Sequence, residues 1–206
     1  MNLGNQVYLA AEDSLGLAFG RRLIKEHSTL QIWREFDGGG YGRLKNNASK
    51  FNNMAQNGLP VLLLTDLDIH PCCPALMSEW LGKGRVQHSD FLIRICVHEA
   101  ESWLLAHPDP LAKLFKLPIS RFPLHPDSLI DPKANLLKLA LKAPSRISKS
   151  LLPNDGSTAK VGIEYNDILC PLVASQWDID EASRRSPSLQ KARIRIHTLA
   201  LKYRLT

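Results

Sequence analysis

Residues 59–68 read LPVLLLTDLD, and this stretch limits the fold more sharply than any other. A continuously apolar run of this length is what a strand needs when both of its faces are covered, as in a parallel sheet between helices. The run ends in two carboxylates, Asp66 and Asp68, two positions apart. Along a strand, residues i and i+2 share a face, so both acids would converge at its C-terminal tip. Acids held that close repel and raise each other's pKa unless a cation sits between them. The pairing is poor for stability and well suited to Mg²⁺, which takes oxygen ligands and often one or two carboxylates.

The segments around it alternate in character. NQVYLAAE (5–12) reads as a short buried strand ending in an acid, and SLGLAFGRRLIKE (14–26) has apolar residues at helical spacing with Ser14 as N-cap. TLQIWREF (29–36) alternates loosely and runs into the glycine loop DGGGYG, and RLKNNASKFNNMAQNG (43–58) suits a polar helix stopped by Gly58. ALMSEWLGKG (75–84) is predicted as a short helix and DFLIRICVHE (90–99) as a buried strand, leading directly into a helix over EAESWLLAH (99–107). Strands alternating with helices predict an α/β fold, an open, mostly parallel sheet flanked by helices. In such sheets ligands sit beyond the C-terminal strand ends. The acid-bearing stretches AAED, TDLD and VHEAE all fall at such ends.

From residue 108 the pattern changes, because prolines break the chain into short pieces. Helices are expected at 133–143, 164–176 and 188–200. The reading is a core over residues 1–107 and a mainly helical C-terminal extension, 108–206, packed on it.

Several function classes drop out. No run approaches the ~18 apolar residues of a membrane span, and the opening MNLGNQVYLAAED has no basic n-region, so a cytoplasmic chain is expected. The 4 cysteines form no CxxC pair, which argues against a zinc site or a disulfide framework. The glycine loop lacks the GK[ST] of a Walker A motif, and no GxGxxG follows the first strand. The net charge of +6, with Lys and Arg concentrated towards the C-terminus, suits a polyanionic partner.

Glu12, Asp66, Asp68, Glu99 and Glu101 together form the candidate site. Phosphoryl transfer on Mg²⁺ or Mn²⁺ uses several carboxylates to hold metal and generate a nucleophile, and a further one as general acid or base. Three of these acids also have a structural alternative. Glu12 lies where the dipole of the 14–26 helix favours an acid, Asp68 could cap the loop at His70, and Glu101 could pair with a base on a helix surface. His98 is expected to face away from Glu99 along a persisting strand, and Trp80 and Trp103 are expected in the core.

VYLAAEDSLGLAFGRRLI followed by VLLLTDLDI resembles the Toprim fold, in which a glutamate closes the first strand and DxD closes a later one. Asp13 after Glu12 departs from the usual Glu-Gly. RICVHEAESWLLAHP, a later DPK, and AKVGIEYN before a SPSLQKARIRI helix resemble the small stand-alone Toprim proteins related to overcoming-lysogenization-defect (OLD) nucleases. The resemblance implies a metal-dependent nuclease acting on DNA or RNA, in anti-phage defence, beside an ABC- or SMC-type ATPase and with homo-oligomeric assembly as a further expectation. It implies Glu12, Asp66, Asp68 and Glu99 as catalytic metal ligands, with Glu101 completing the metal site. Lys133 and Lys160 would contact phosphate. The alternative is a catalytically silent Toprim-fold subunit that regulates or scaffolds an ATPase complex.

Overall fold

The computed structural model describes residues 5–67, 73–82 and 86–204; the expectations placed on Asp68 and His70 lie outside the described residues. The chain forms two compact units, Met1–Cys96 with Lys191–Thr206, and Val97–Gln190.

Unit one is the α/β layer structure that the apolar runs predict. Its strands are β1 (Gln6–Ala11), β2 (Gln31–Asp37), β3 (Val61–Asp66) and β4 (Phe91–Cys96), joined through α1 (Ser14–Lys25), α2 (Tyr41–Gln56) and α3 (Cys73–Leu81). The sheet order is β2-β1-β3-β4, with every pairing parallel. Val61–Leu64 are fully covered because the central strand β3 has a helix layer on each face. On one face α1 comes in through small residues: a Cβ added at Gly20 would stand 2.4 Å from Leu9 Cδ1. On the other, Leu44, Phe51, Leu76 and Trp80 from α2 and α3 pack against Ala10, Leu63 and Ile93. Trp80 is buried as expected, its indole N–H donating to the Tyr41 hydroxyl at 2.9 Å.

The edge strand β2 is mostly exposed, which explains its loose alternation in sequence. The C-terminal part of α10 (Pro187–Lys202) belongs to this unit. Arg193 there donates to both Glu26 oxygens, and Lys202 and Tyr203 donate to buried Asp90 at 2.5 and 3.0 Å.

Unit two is helical. It contains α4 (Glu101–Ala106), α5 (Pro108–Phe115), α6 (Pro132–Ala140), α7 (Ser145–Leu151), α8 (Tyr165–Ser175), α9 (Ile179–Arg185) and the start of α10. Each residue of α4 is buried, and α4 touches α5, α6 and α9. Trp103 holds the centre as expected: its N–H donates to Ser188 Oγ at 2.8 Å, and its carbonyl accepts from the Trp177 N–H at 3.0 Å.

Three local expectations change. The N-cap of α1 is Asp13 rather than Ser14: Asp13 has extended backbone, and its carboxylate accepts from Gly16 N–H at 2.8 Å. The strand predicted to 99 stops at Cys96, because His98 turns left-handed, φ 64°, and α4 starts only at Glu101. The helix predicted from 43 begins two residues earlier, at Tyr41. Among the described residues no helix is long and apolar enough to cross a membrane.

Candidate functional site

In unit one the sheet order reverses between β1 and β3, since the chain runs outward to β2 and then returns to the other side of β1. The crevice beyond the strand ends at such a reversal is where open α/β sheets bind ligands. Glu12 follows directly on β1, and Asp66 is the last residue of β3. Both are half-buried. The buried Thr65 hydroxyl donates to Glu12 Oε2 at 3.3 Å, fixing one of the carboxylate's oxygens from the neighbouring strand.

A third strand-end acid, Asp37, closes β2 and was not singled out from sequence. It accepts from the Ser14 hydroxyl at 3.0 Å and from Gly39 N–H at 2.9 Å. Those bonds fold the glycine loop back over the end of β1. Gly38 N–H donates to Ala11 O at 2.8 Å and Gly40 N–H to Glu12 O at 2.9 Å. A Cβ at Gly38 would meet the carbonyl oxygens of Ala11, Gly40 and Glu12 at 3.1–3.3 Å, so any larger residue would push this backbone apart by a few tenths of an ångström. The signal in the sequence was an acid ending a strand directly before three glycines. The loop is thus a fixed wall beside Glu12.

The metal expectation has an oxygen-only donor set here. Mg²⁺ commonly binds protein through one or two carboxylates and keeps several waters, a demand that Glu12 and Asp66, at adjacent strand ends, match in kind. Among the described residues no three His, Cys, Asp or Glu side chains gather into a metal-holding group.

In unit two, Glu99 and Glu101 converge on a lysine. Lys133 Nζ stands 3.6 Å from Glu99 Oε1 and 3.6 Å from Glu101 Oε1. The DPK stretch explains the placement. Asp131 caps α6 by accepting from Ala134 N–H at 2.7 Å, Pro132 fills the first position, and Lys133 follows in the first turn. Lys133 also donates its backbone N–H to Glu99 Oε2 at 2.8 Å, so Glu99 sits where the helix dipole favours an anion. Glu101 is almost fully buried, accepts from the Tyr165 hydroxyl at 2.8 Å, and leaves Oε2 without a hydrogen-bond partner. Burial pushes its pKa above the ordinary 4.5, with Lys133 and Tyr165 pulling back and Glu99 adding to the rise. The two acids therefore already share a cation, the lysine ammonium. The pairing proposed for Glu101 as an alternative to metal is present, inside the unit rather than on a helix surface. Lys160 lies exposed in the loop between α7 and α8.

Compared with protein-family models, curated proteins and solved structures, the chain matches none of them. Fold and site together define an α/β protein whose parallel sheet presents carboxylates at its topological switch point.

Proposed function

We propose that this protein is a Mg²⁺- or Mn²⁺-dependent Toprim-type nuclease that hydrolyses phosphodiester bonds of nucleic acid. The observation that carries the reading is the placement of Glu12 and Asp66 at the C-terminal ends of the two strands flanking the sheet reversal. The helix dipole accounts for Glu12 alone and not for Asp66 beside it, whereas a cation-dependent site uses both acids at adjacent strand ends. Asp66 would hold the metal together with Asp68. Bound there, the metal would neutralise phosphate charge and supply a water of lowered pKa.

The chain's own part is positioning and proton transfer. Glu12, with Oε2 held by the Thr65 hydroxyl, keeps a carboxylate oriented at the end of β1 as ligand or general acid–base. The Gly38–Gly40 loop bonds to the carbonyls of Ala11 and Glu12 and so fixes the backbone that carries that carboxylate. Glu99 and Glu101, bridged by Lys133, are read as a structural ion cluster of unit two, and Lys133 as their counter-ion ahead of any phosphate contact.

The test is cleavage of supercoiled plasmid and of a tRNA pool with Mg²⁺ or Mn²⁺, comparing wild type with Asp66→Ala/Asp68→Ala. Because the sequence resembles OLD-type nucleases, the assay is run with and without a neighbouring ATPase. Metal-dependent cutting lost in the double variant supports the proposal. No cutting under any condition overturns it in favour of a scaffold or regulatory role.

A further inference from the structure

The edge strand β2 carries a feature that the acidic site does not use. Its pairing with β1 slips by one residue: Val7 opposes Ile32 and Tyr8 opposes Arg34, leaving Trp33 as the extra residue of a bulge. Bulges at sheet edges re-aim side chains, often beside functional sites. Trp33 keeps 41 % of its surface exposed, whereas Trp80, Trp103 and Trp177 keep 4 %, 0 % and 1 %. Its inner side is supported by Tyr8, ring centroids 6.3 Å apart, and Tyr8 rests in turn on Phe51 at 5.7 Å. The Arg34 guanidinium lies over the Trp33 ring, 4.7 Å from its centroid.

A second pair of the same kind lies further along the strand. Arg43 of α2 lies 5.6 Å over the Phe36 ring, and its Nη1 is 3.4 Å from where a Cβ on Gly39 would stand. The two guanidinium–aromatic pairs thus run along one edge towards the glycine loop that wraps the end of β1 beside Glu12. From Trp33 to Asp37 is four residues of strand, roughly 13 Å at the usual rise. The charges on this edge are not all positive. Glu35 is neutralised by Arg21 at 2.5 Å, and Asp37 is held by Ser14 and Gly39.

We infer that Trp33 and Arg34 form a stacking subsite for an unpaired base of single-stranded nucleic acid, with Arg43 steering the backbone towards the strand-end acids. Aromatic faces backed by arginines are the common element of single-strand binding, because every base has a π-face and every nucleotide a phosphate. A duplex keeps its bases stacked inside and cannot use such a platform. The choice of ligand rests on the nuclease reading.

The burial of the other three tryptophans makes the test direct, since a base stacking on the surface quenches Trp33 alone. The full chain is titrated in EDTA, where a metal nuclease cannot cut, with short oligothymidylate and with heparin, a polyanion without bases. Saturable quenching by the oligonucleotide and none by heparin is expected. Trp33→Ala should weaken oligonucleotide affinity by roughly 5- to 150-fold, the range for losing one base stack. Trp33→Phe should retain affinity and lose the quench, which separates stacking from any effect on folding. Binding without quenching, equal quenching by heparin, wild-type affinity in Trp33→Ala, or no binding would each overturn the inference. Metal-dependent cleavage without Trp33 quenching would remove this subsite and leave the nuclease reading standing. Quenching that persists in an Asp66→Asn chain, with no cleavage by wild type, would keep the subsite and remove the nuclease.

Discussion

The Tyr165 hydroxyl donates to Glu101 Oε1 at 2.8 Å in the interior of unit two, where Glu101 keeps only 1 % of its surface. A buried acid with few partners depends heavily on each one. Tyr165→Phe removes that donor and leaves Lys133, 3.6 Å away, as the side chain beside the oxygen. The expected loss is about 1–3 kcal/mol, the cost of leaving a buried polar group unsatisfied. Urea unfolding at neutral pH, with an unchanged slope, measures it; a loss within experimental error would mean that the bond contributes nothing.

Glu101 also sets a pH dependence. Its pKa is raised above 4.5, chiefly by burial. The native state then binds its proton at a higher pH than the unfolded chain, so stability is fully present below 4.5 and falls as pH rises through the raised value. Glu101→Gln does not titrate. The stability of wild type relative to Glu101→Gln should therefore decline as pH climbs from 4.5 and level off above the raised pKa. A difference flat across that window would contradict the assignment.

Removing Lys133 should give a pH-dependent loss, which a neutral core substitution does not. Lys133→Met leaves Glu99 and Glu101 facing each other without the ammonium that stands 3.6 Å from both. Taking the ammonium away from buried Glu101 should cost about 1–3 kcal/mol, less than for a fully buried pair because the Lys133 side chain keeps 24 % of its surface. The loss should be largest at neutral pH and shrink on acidification as Glu101, whose pKa is raised, takes up its proton. Thermal midpoints of wild type and variant across that range decide it.

The fold was legible where one physical signal dominated. β1 and β3 are buried apolar runs, so their ends, and with them Glu12 and Asp66, could be placed from sequence. The helical half was harder because proline carries two meanings. Read as breakers, the prolines hid α5 and α7, yet Pro108 opens α5 and Pro144 caps α7, positions where the missing N–H costs nothing. The Lys133 bridge was out of reach because it joins residues more than thirty positions apart through tertiary packing. The left-handed turn at His98 ends β4 early; histidine is among the few non-glycine residues enriched in that conformation, but a single histidine after an apolar run is too weak a signal to place the turn.

The glycine loop separates two kinds of glycine. Gly40 has φ 119° and ψ 163°, a region open essentially to glycine alone, and its N–H holds the Glu12 carbonyl. Gly40→Ala should cost about 1–3 kcal/mol and impair any activity that depends on Glu12. Gly42, two residues on, lies in the first turn of α2 with open space around its Cα. Gly42→Ala should be neutral or stabilise by up to about 1 kcal/mol. Chemical unfolding of the two variants side by side checks the contrast, and equal effects would mean that the loop is not held as described.

Metal binding gives a readout at Glu12 and Asp66 that does not need turnover. Without a cation, acids at adjacent strand ends repel, so Asp66→Asn should leave the metal-free protein as stable as wild type or raise its thermal midpoint. With Mg²⁺ in large excess the order should reverse. A ligand at about 100 times its dissociation constant adds about 2.7 kcal/mol to the state that binds it, a gain open to wild type and denied to the variant. Thermal unfolding of both chains with and without Mg²⁺, with Lys133→Met in parallel, locates the site. A Mg²⁺ shift absent in Asp66→Asn and present in Lys133→Met places the cation at the sheet reversal. A shift that survives Asp66→Asn would take the metal away from Asp66 and remove the ground for assigning catalysis to it.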